Sequence, residues 1–338
     1  EMLARLVGFD TVSHKSNLAL IAFVEDYLAA HGIASKRVPN TDGDKAGLYA
    51  TIGPNVDGGV VLSAHSDVVP TEHQTWTTDP FTLTELGSRL YARGTSDMKG
   101  FLACALALVP EFAAADLATP IHLAISYDEE VGCMGCHDMV REMAEGGIAP
   151  PRGVIVGEPT EMQLVVAHKG IDAFETVVTG KETHSSQTQL GANAIMAAGQ
   201  LIAELQRLAD RAREAAPADS PFTPPYSTLS VGTIEGGHAL NIVPGSCRFV
   251  WECRTLPGDD PQAFVQALDR YARDTVLPRL HASAPEAAIA TTRRAGVTAL
   301  APETGPQAAA EGVPPARRGQ AEALARQLTG TNRTEAVS

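Results

Sequence analysis

"PIHLAISYDEEVG", residues 120–132, opens as an apolar run and closes on three consecutive carboxylates, Asp128, Glu129 and Glu130. A short apolar run bounded by polar residues reads as a buried strand. The pattern recurs. "GGVVLSAHSDVVP", residues 58–70, reads as a strand over Val60–Ala64 that runs into His65 and Asp67. "GVIVGEPT", residues 153–160, does the same on a smaller scale and delivers Glu158. Between them "MKGFLACALALVPEFAAA", residues 98–115, reads as an Ala/Leu-rich helix. "LALIAFVEDYLAAHGI", residues 18–33, has helical apolar spacing and a C-terminal signal at Gly32. Strands alternating with helices imply an α/β fold with a mostly parallel sheet. In such sheets, sites lie outside the carboxyl ends of the strands. Each of these strands delivers polar residues there, so separate motifs are expected to converge on one crevice.

From Gly170 the texture changes. "GIDAFETVVTG", "YSTLSVGTIEGG" and "SCRFVWECRTLP" alternate as antiparallel strands do, and residues 191–216 and 260–277 read as two amphipathic helices. The expected organisation is a catalytic domain over 1–169, an inserted smaller α+β domain over 170–282, and a return to the first domain over 283–338. "LAPETGPQAAAEGVPPARRG", residues 300–319, reads as loop, and "QAEALARQLTG" as a short helix.

The 338 residues suit two domains. With 44 % apolar and 20 % charged residues, the composition is that of a soluble globular enzyme. A formal net charge of −14 argues against a nucleic-acid partner and offers no basic patch to an anionic membrane. No apolar run is long enough to span a bilayer. "EMLARLVGFD" lacks the basic end and apolar stretch of a signal peptide. The 5 cysteines are an odd and sparse set that fits a reducing cytoplasm.

His65, Asp97 in "RGTSDMKG", Glu130 and Glu158 are the candidate metal ligands. One imidazole and several carboxylates suit a borderline divalent ion such as zinc, with cobalt as an alternative. A neighbouring Glu outside the ligand set can act as a base, and Asp67 can accept the second ring N–H of His65. A competing reading comes from Cys133, Cys136 and His137, which spell the C-x-x-C-H of haem attachment. Without an export signal, two reduced thiols packed on a helix over "CMGCHDMVREMAE" is the expected reading.

"SAHSDVVP", "RGTSDMKG", "DEEVGC" and "GEPT", in this order, resemble the signatures of the M20 family of zinc-dependent amidohydrolases and peptidases. The resemblance runs from about Leu6 to Pro261. It implies that His65 and Glu158 bind one metal, that Asp97 bridges to a second, and that Glu130 binds the second. Glu129 is then the general base and Asp67 the partner of His65. "GKETHSSQTQLGANAI" resembles the family's lid-domain motif, which makes His184 an oxyanion stabiliser acting across a homodimer. "GGHALNIVP" implies Asn241 near the substrate carbonyl, and "WECRTLPGDDP" implies that Arg254 pairs with a substrate carboxylate. The substrate class is a small N-acyl amino acid. "PYSTLSVGTIEGG" followed by "RTLPG" is most similar to the branch that cleaves N-acetylornithine to ornithine and acetate. Desuccinylation of succinyl-diaminopimelate, aminoacylase and carboxypeptidase activities are the alternatives. The family's second metal takes one more histidine near the C-terminus, in a context like A-H-x-P-D. That motif is missing here, and His281 sits in a different context. The expectation is a truncated chain that holds its second metal poorly, down to an inactive metal-binding scaffold.

Overall fold

The computed structural model describes residues 1–302, 319–330 and 334–337. They form two units. The first holds Glu1–Leu164 and the helix Gln320–Thr329; the second runs from Val165 and includes the strand Thr334–Val337.

The first unit is built on β1 (Ser35–Pro39), β2 (Ala46–Ile52), β3 (Val60–His65), β6 (Ile121–Ser126) and β7 (Gly153–Val156), with a small hairpin of β4 (Thr84–Leu86) and β5 (Arg89–Tyr91). The five strands lie in the order β1-β2-β6-β3-β7. β6, β3 and β7 are parallel, and β1 and β2 add an antiparallel edge. Its helices are α1 (Met2–Val7), α2 (Leu18–Ala30), α3 (Lys99–Ala107), α4 (Val109–Ala114) and α5 (His137–Glu142). Leu20, Ile21, Val24 and Leu28 of α2 and Leu102 and Leu106 of α3 are buried in one cluster with Leu48, Leu123 and Ile125 of the sheet. Each such side chain contributes roughly 1.5–3 kcal/mol on burial. Gly32 ends α2 in left-handed backbone at φ +74, which lets Ile33 N–H donate to Leu28 O at 3.0 Å.

Two expected helices differ from the structure. Residues 98–115 split into α3 and α4 around Leu108, because Pro110 lacks the N–H that would continue the ladder. The helix expected from Cys133 begins only at His137. Cys133 itself lies in left-handed backbone, φ +56, which a helix cannot contain.

The second unit contains β8 (Leu164–His168), β9 (Gly170–Thr179), β10 (Thr183–His184), β11 (Thr228–Gly236), β12 (Ile242–Val243), β13 (Ser246–Thr255), β14 (Ala288–Val297) and β15 (Thr334–Val337). A four-stranded antiparallel sheet, β11-β13-β9-β14, is its framework. α6 (Ala194–Glu214) and α7 (Pro261–Tyr271) bury Leu201, Leu205 and Leu268 in one cluster with Phe174, Phe249 and Trp251 of that sheet; α8 (Leu277–His281) follows α7. Phe174 stacks on Trp251 at 4.6 Å. Asn193 caps α6 by accepting from Met196 N–H at 3.0 Å, and Asp260 caps α7 by accepting from Gln262 N–H at 2.8 Å. Two short ladders complete the unit, β10 with β12 and β8 with β15. The strand β14 has no counterpart among the sequence expectations: its "TTRRAG" is polar because the strand is an exposed edge. The helix over 320–330 appears as α9 (Gln320–Thr329). Of the loop expected over 300–319, residues 303–318 lie outside the described residues.

Candidate metal centre

Strand register builds the site. His65 pairs with Ser126, so the turn that follows β6 emerges beside it. Ser63 pairs with Val156, which brings Glu158, two residues further on, level with His65 on the other side. Asp97 arrives from the loop leading into α3; its peptide bond to Met98 is cis.

The His65 side chain is 1 % exposed, and its Nε2 is the hub of the cluster. Asp97 Oδ1 lies 3.1 Å from it, Glu158 Oε1 3.7 Å and Glu129 Oε2 3.8 Å. Two overlapping sets of donor atoms result, His65 with Glu129 and Glu158, and His65 with Asp97 and Glu130, each within 4.8 Å. At 47 % exposure Asp97 opens the cluster to solvent on one side. On the other ring nitrogen, Nδ1–H donates to the backbone carbonyl of Asp67 at 2.9 Å, closer than the Asp67 carboxylate at 3.4 Å. That carboxylate instead accepts from Ser13 Oγ at 2.7 Å, from Glu129 N–H at 3.2 Å and from Glu130 N–H at 3.3 Å. Asp67 thus holds both the imidazole and the turn that carries the two glutamates.

The electrostatics are those of a cation site. Burial disfavours charge on His65, yet hydrogen bonds to Asp67 and Asp97 and the charges of Asp67 and Glu129 prevail and push it up to about 11. Burial, then the charge of Asp97, raises Glu130 to about 7. Burial, with Asp97, Glu129 and Glu130 around it, raises Glu158 to about 7 against the pull of His65. Burial also opposes charge on Asp67, but His65 and Ser13 hold it below the usual carboxylate range. Carboxylates crowded in this way repel one another until a cation neutralises them. A buried imidazole and oxygen donors are the set a divalent metal such as zinc accepts, so the residues present fit such an ion.

The remaining candidates belong to the second unit. His184 ends β10 and Asn241 immediately precedes β12. The ladder pairs His184 with Ile242, and Ser185 N–H donates to Asn241 O at 2.9 Å, so the two candidates are neighbours. His184 is exposed and its Nδ1 accepts from Ser186 N–H at 3.2 Å. Arg254 sits on β13, where its Nε donates to Glu252 Oε1 at 3.1 Å. Sequence reasoning missed three contributors. Ser13 holds Asp67. Lys45 donates to Asp128 Oδ1 at 2.6 Å and to Ser13 O at 2.5 Å. The Cys133 thiol donates to Glu129 Oε1 at 3.4 Å. "TDGDKAG" around Lys45 reads as an ordinary solvated turn, so nothing local marks it.

Strand-end carboxylates gathered on one buried imidazole, in an α/β unit, are the architecture of a metal-dependent hydrolase. Residues 166–279 match the peptidase dimerisation domain of the M20 family. The chain is 40 % identical over 280 residues to an acetylornithine deacetylase of Myxococcus xanthus, covering 81 % of this chain and 71 % of that protein. It is 37 % identical over 273 residues to an acetylornithine deacetylase of Proteus mirabilis, covering 80 % of this chain and 67 % of that one. An M20 family metallo-carboxypeptidase from Sulfolobus solfataricus shares the fold, with a TM-score of 0.70 at 18 % identity over 99 % of this chain and 84 % of the other. The chain belongs to the M20 family of metal-dependent hydrolases.

Proposed function

We propose that this protein hydrolyses the amide bond of N-acetylornithine, with divalent metal, zinc in the first instance, held by His65, Asp97, Glu130 and Glu158. The observation that carries the reading is the ring of carboxylates around His65 Nε2. The two deacetylase relatives support the choice of substrate. Bound metal supplies a polarised carbonyl and a more acidic water. Glu129 collects the proton of the attacking water and delivers it to the departing amine, so that water and amide become acetate and ornithine. Asp67 keeps His65 oriented with Nε2 toward the carboxylates that would hold the ion. His184, acting across the proposed homodimer, accepts at Nδ1, which leaves an Nε2–H to stabilise the oxyanion. Asn241 joins it at the carbonyl, and Arg254 receives the substrate carboxylate through its planar guanidinium. The dimerisation-domain match supports a homodimer formed through the second unit. No described helix is long and apolar enough to cross a membrane. Release of the free amine from N-acetylornithine and from N-succinyl-diaminopimelate, followed side by side, tests the reading. Turnover of the first alone supports it, and turnover of the second alone moves the chain to another M20 specificity.

A further inference from the structure

Behind the cluster runs a closed ring of hydrogen bonds. Lys45 Nζ joins Asp128 Oδ1 to Ser13 O. Ser13 Oγ joins Asp67, and Asp67 accepts the amides of Glu129 and Glu130, which follow Asp128 in the chain. Asp128 sits in left-handed backbone at φ +54, a conformation that a side-chain partner must help to hold. The turn continues with Gly132 N–H and Cys133 N–H both donating to Glu129 O at 3.0 Å. Lys45 is itself set by a tight turn, where its N–H donates to Asn40 Oδ1 at 3.1 Å. The Lys45 and Asp128 side chains are only 13 % and 18 % exposed. An ion pair that well covered differs from a solvated surface pair, because loss of one partner strands the other charge.

We propose that Lys45 is a positioning residue for Glu129. By tying Asp128 to Ser13 it closes the ring, fixes the turn, and so sets the aim of Glu129 and Glu130. The inference rests on Glu129 being the proton-collecting group, but the ring itself is testable apart from catalysis.

The test uses Lys45→Met, Lys45→Arg, Asp128→Asn and the double variant Lys45→Met/Asp128→Asn in the metal-loaded full chain. Amide hydrogen exchange is the readout independent of activity. In K45M the amides of Glu129, Glu130 and Cys133 should exchange at least about tenfold faster while those of β3 and β6 stay protected. With N-acetylornithine, kcat should fall on the order of 10–100-fold with KM within about twofold, the pattern of a displaced catalytic group. K45R should recover most of that loss. The double variant should lose no more than K45M alone, since both substitutions act on the same link. If K45M does not fold, Asp128→Asn weakens the same link from the other side, replacing a carboxylate by a neutral acceptor with a residue that tolerates left-handed backbone. Unchanged exchange in the turn, or losses that multiply in the double variant, would overturn the proposal. Faster exchange in a protein that leaves N-acetylornithine intact would keep the clamp and refute the substrate.

Discussion

Glu129 carries opposed demands at its two oxygens. Oε2 faces His65 Nε2 at 3.8 Å, whereas Oε1 accepts from the Cys133 thiol. As the proton-collecting group it should tolerate no isostere. Glu129→Gln is expected to lower kcat by about 10²–10⁴-fold with metal content unchanged, as steady-state kinetics and elemental analysis would show. The candidate ligands Glu130 and Glu158 make a different prediction. In metal-free protein Glu130 and Glu158 titrate near 7, above the ordinary glutamate value of 4.5. The fold therefore favours their protonated forms, and that stability is full below about 4.5 and lost as pH rises through 7. His65, raised from 6.5 to about 11, loses its contribution in the same direction at higher pH. Chelator-treated protein should melt at a lower temperature at pH 8 than at pH 5.5, and added zinc should raise Tm more at pH 8. Calorimetry at both pH values checks this; a flat profile would mean the carboxylates are not crowded. His65, Glu129, Glu130 and Glu158 could be proposed from sequence because each sits in a short polar motif at the end of an apolar run, and Asp97 because its polar motif opens an apolar helix. Lys45 and Ser13 could not, because their roles come from partners 83 and 54 residues away.

The element that most narrowly fixes the site is the turn after β7. Gly157 precedes Glu158 in contact with α3, and a Cβ there would enter the ring of Phe101. Gly157→Ala should cost about 1–3 kcal/mol by overpacking, and should also weaken metal binding by moving Glu158. Denaturant unfolding and a metal titration on the same variant would separate the two effects. Wild-type affinity would show that Phe101 gives way and leaves Glu158 in place. The parallel strands β3 and β6 were legible because all their residues are buried or half-buried, which makes each a short, nearly continuous apolar run; β7 was legible from its apolar composition alone, since as an edge strand it leaves Val154 and Val156 exposed. The Cys133 region was not. Helical composition concealed a left-handed residue whose conformation depends on contacts within the "DEEVGC" turn rather than on propensity. β14 escaped for the opposite reason, as an edge strand with few buried positions carries little hydrophobic signal.

For the whole molecule, the proposed dimer would use the second unit, whose residues 166–279 match the M20 dimerisation domain. β11 ends its sheet, and Ile234 on that strand and Met196 on α6 are 51 % and 69 % exposed. We propose this edge as the dimer surface, since an open strand edge can pair with a second copy. Sedimentation should give a dimer. Ile234→Lys with Met196→Glu should yield monomers that keep their metal, and an unchanged dimer would move the interface elsewhere. The proposed role of the His65 cluster is to hold the metal that drives amide hydrolysis. Its most direct test is acetate release from N-acetylornithine by chelated protein as zinc is titrated back. We predict no release without metal and a rate that rises with bound zinc to a plateau. Release that survives chelation, or fully metal-loaded protein that leaves N-acetylornithine intact, would contradict it.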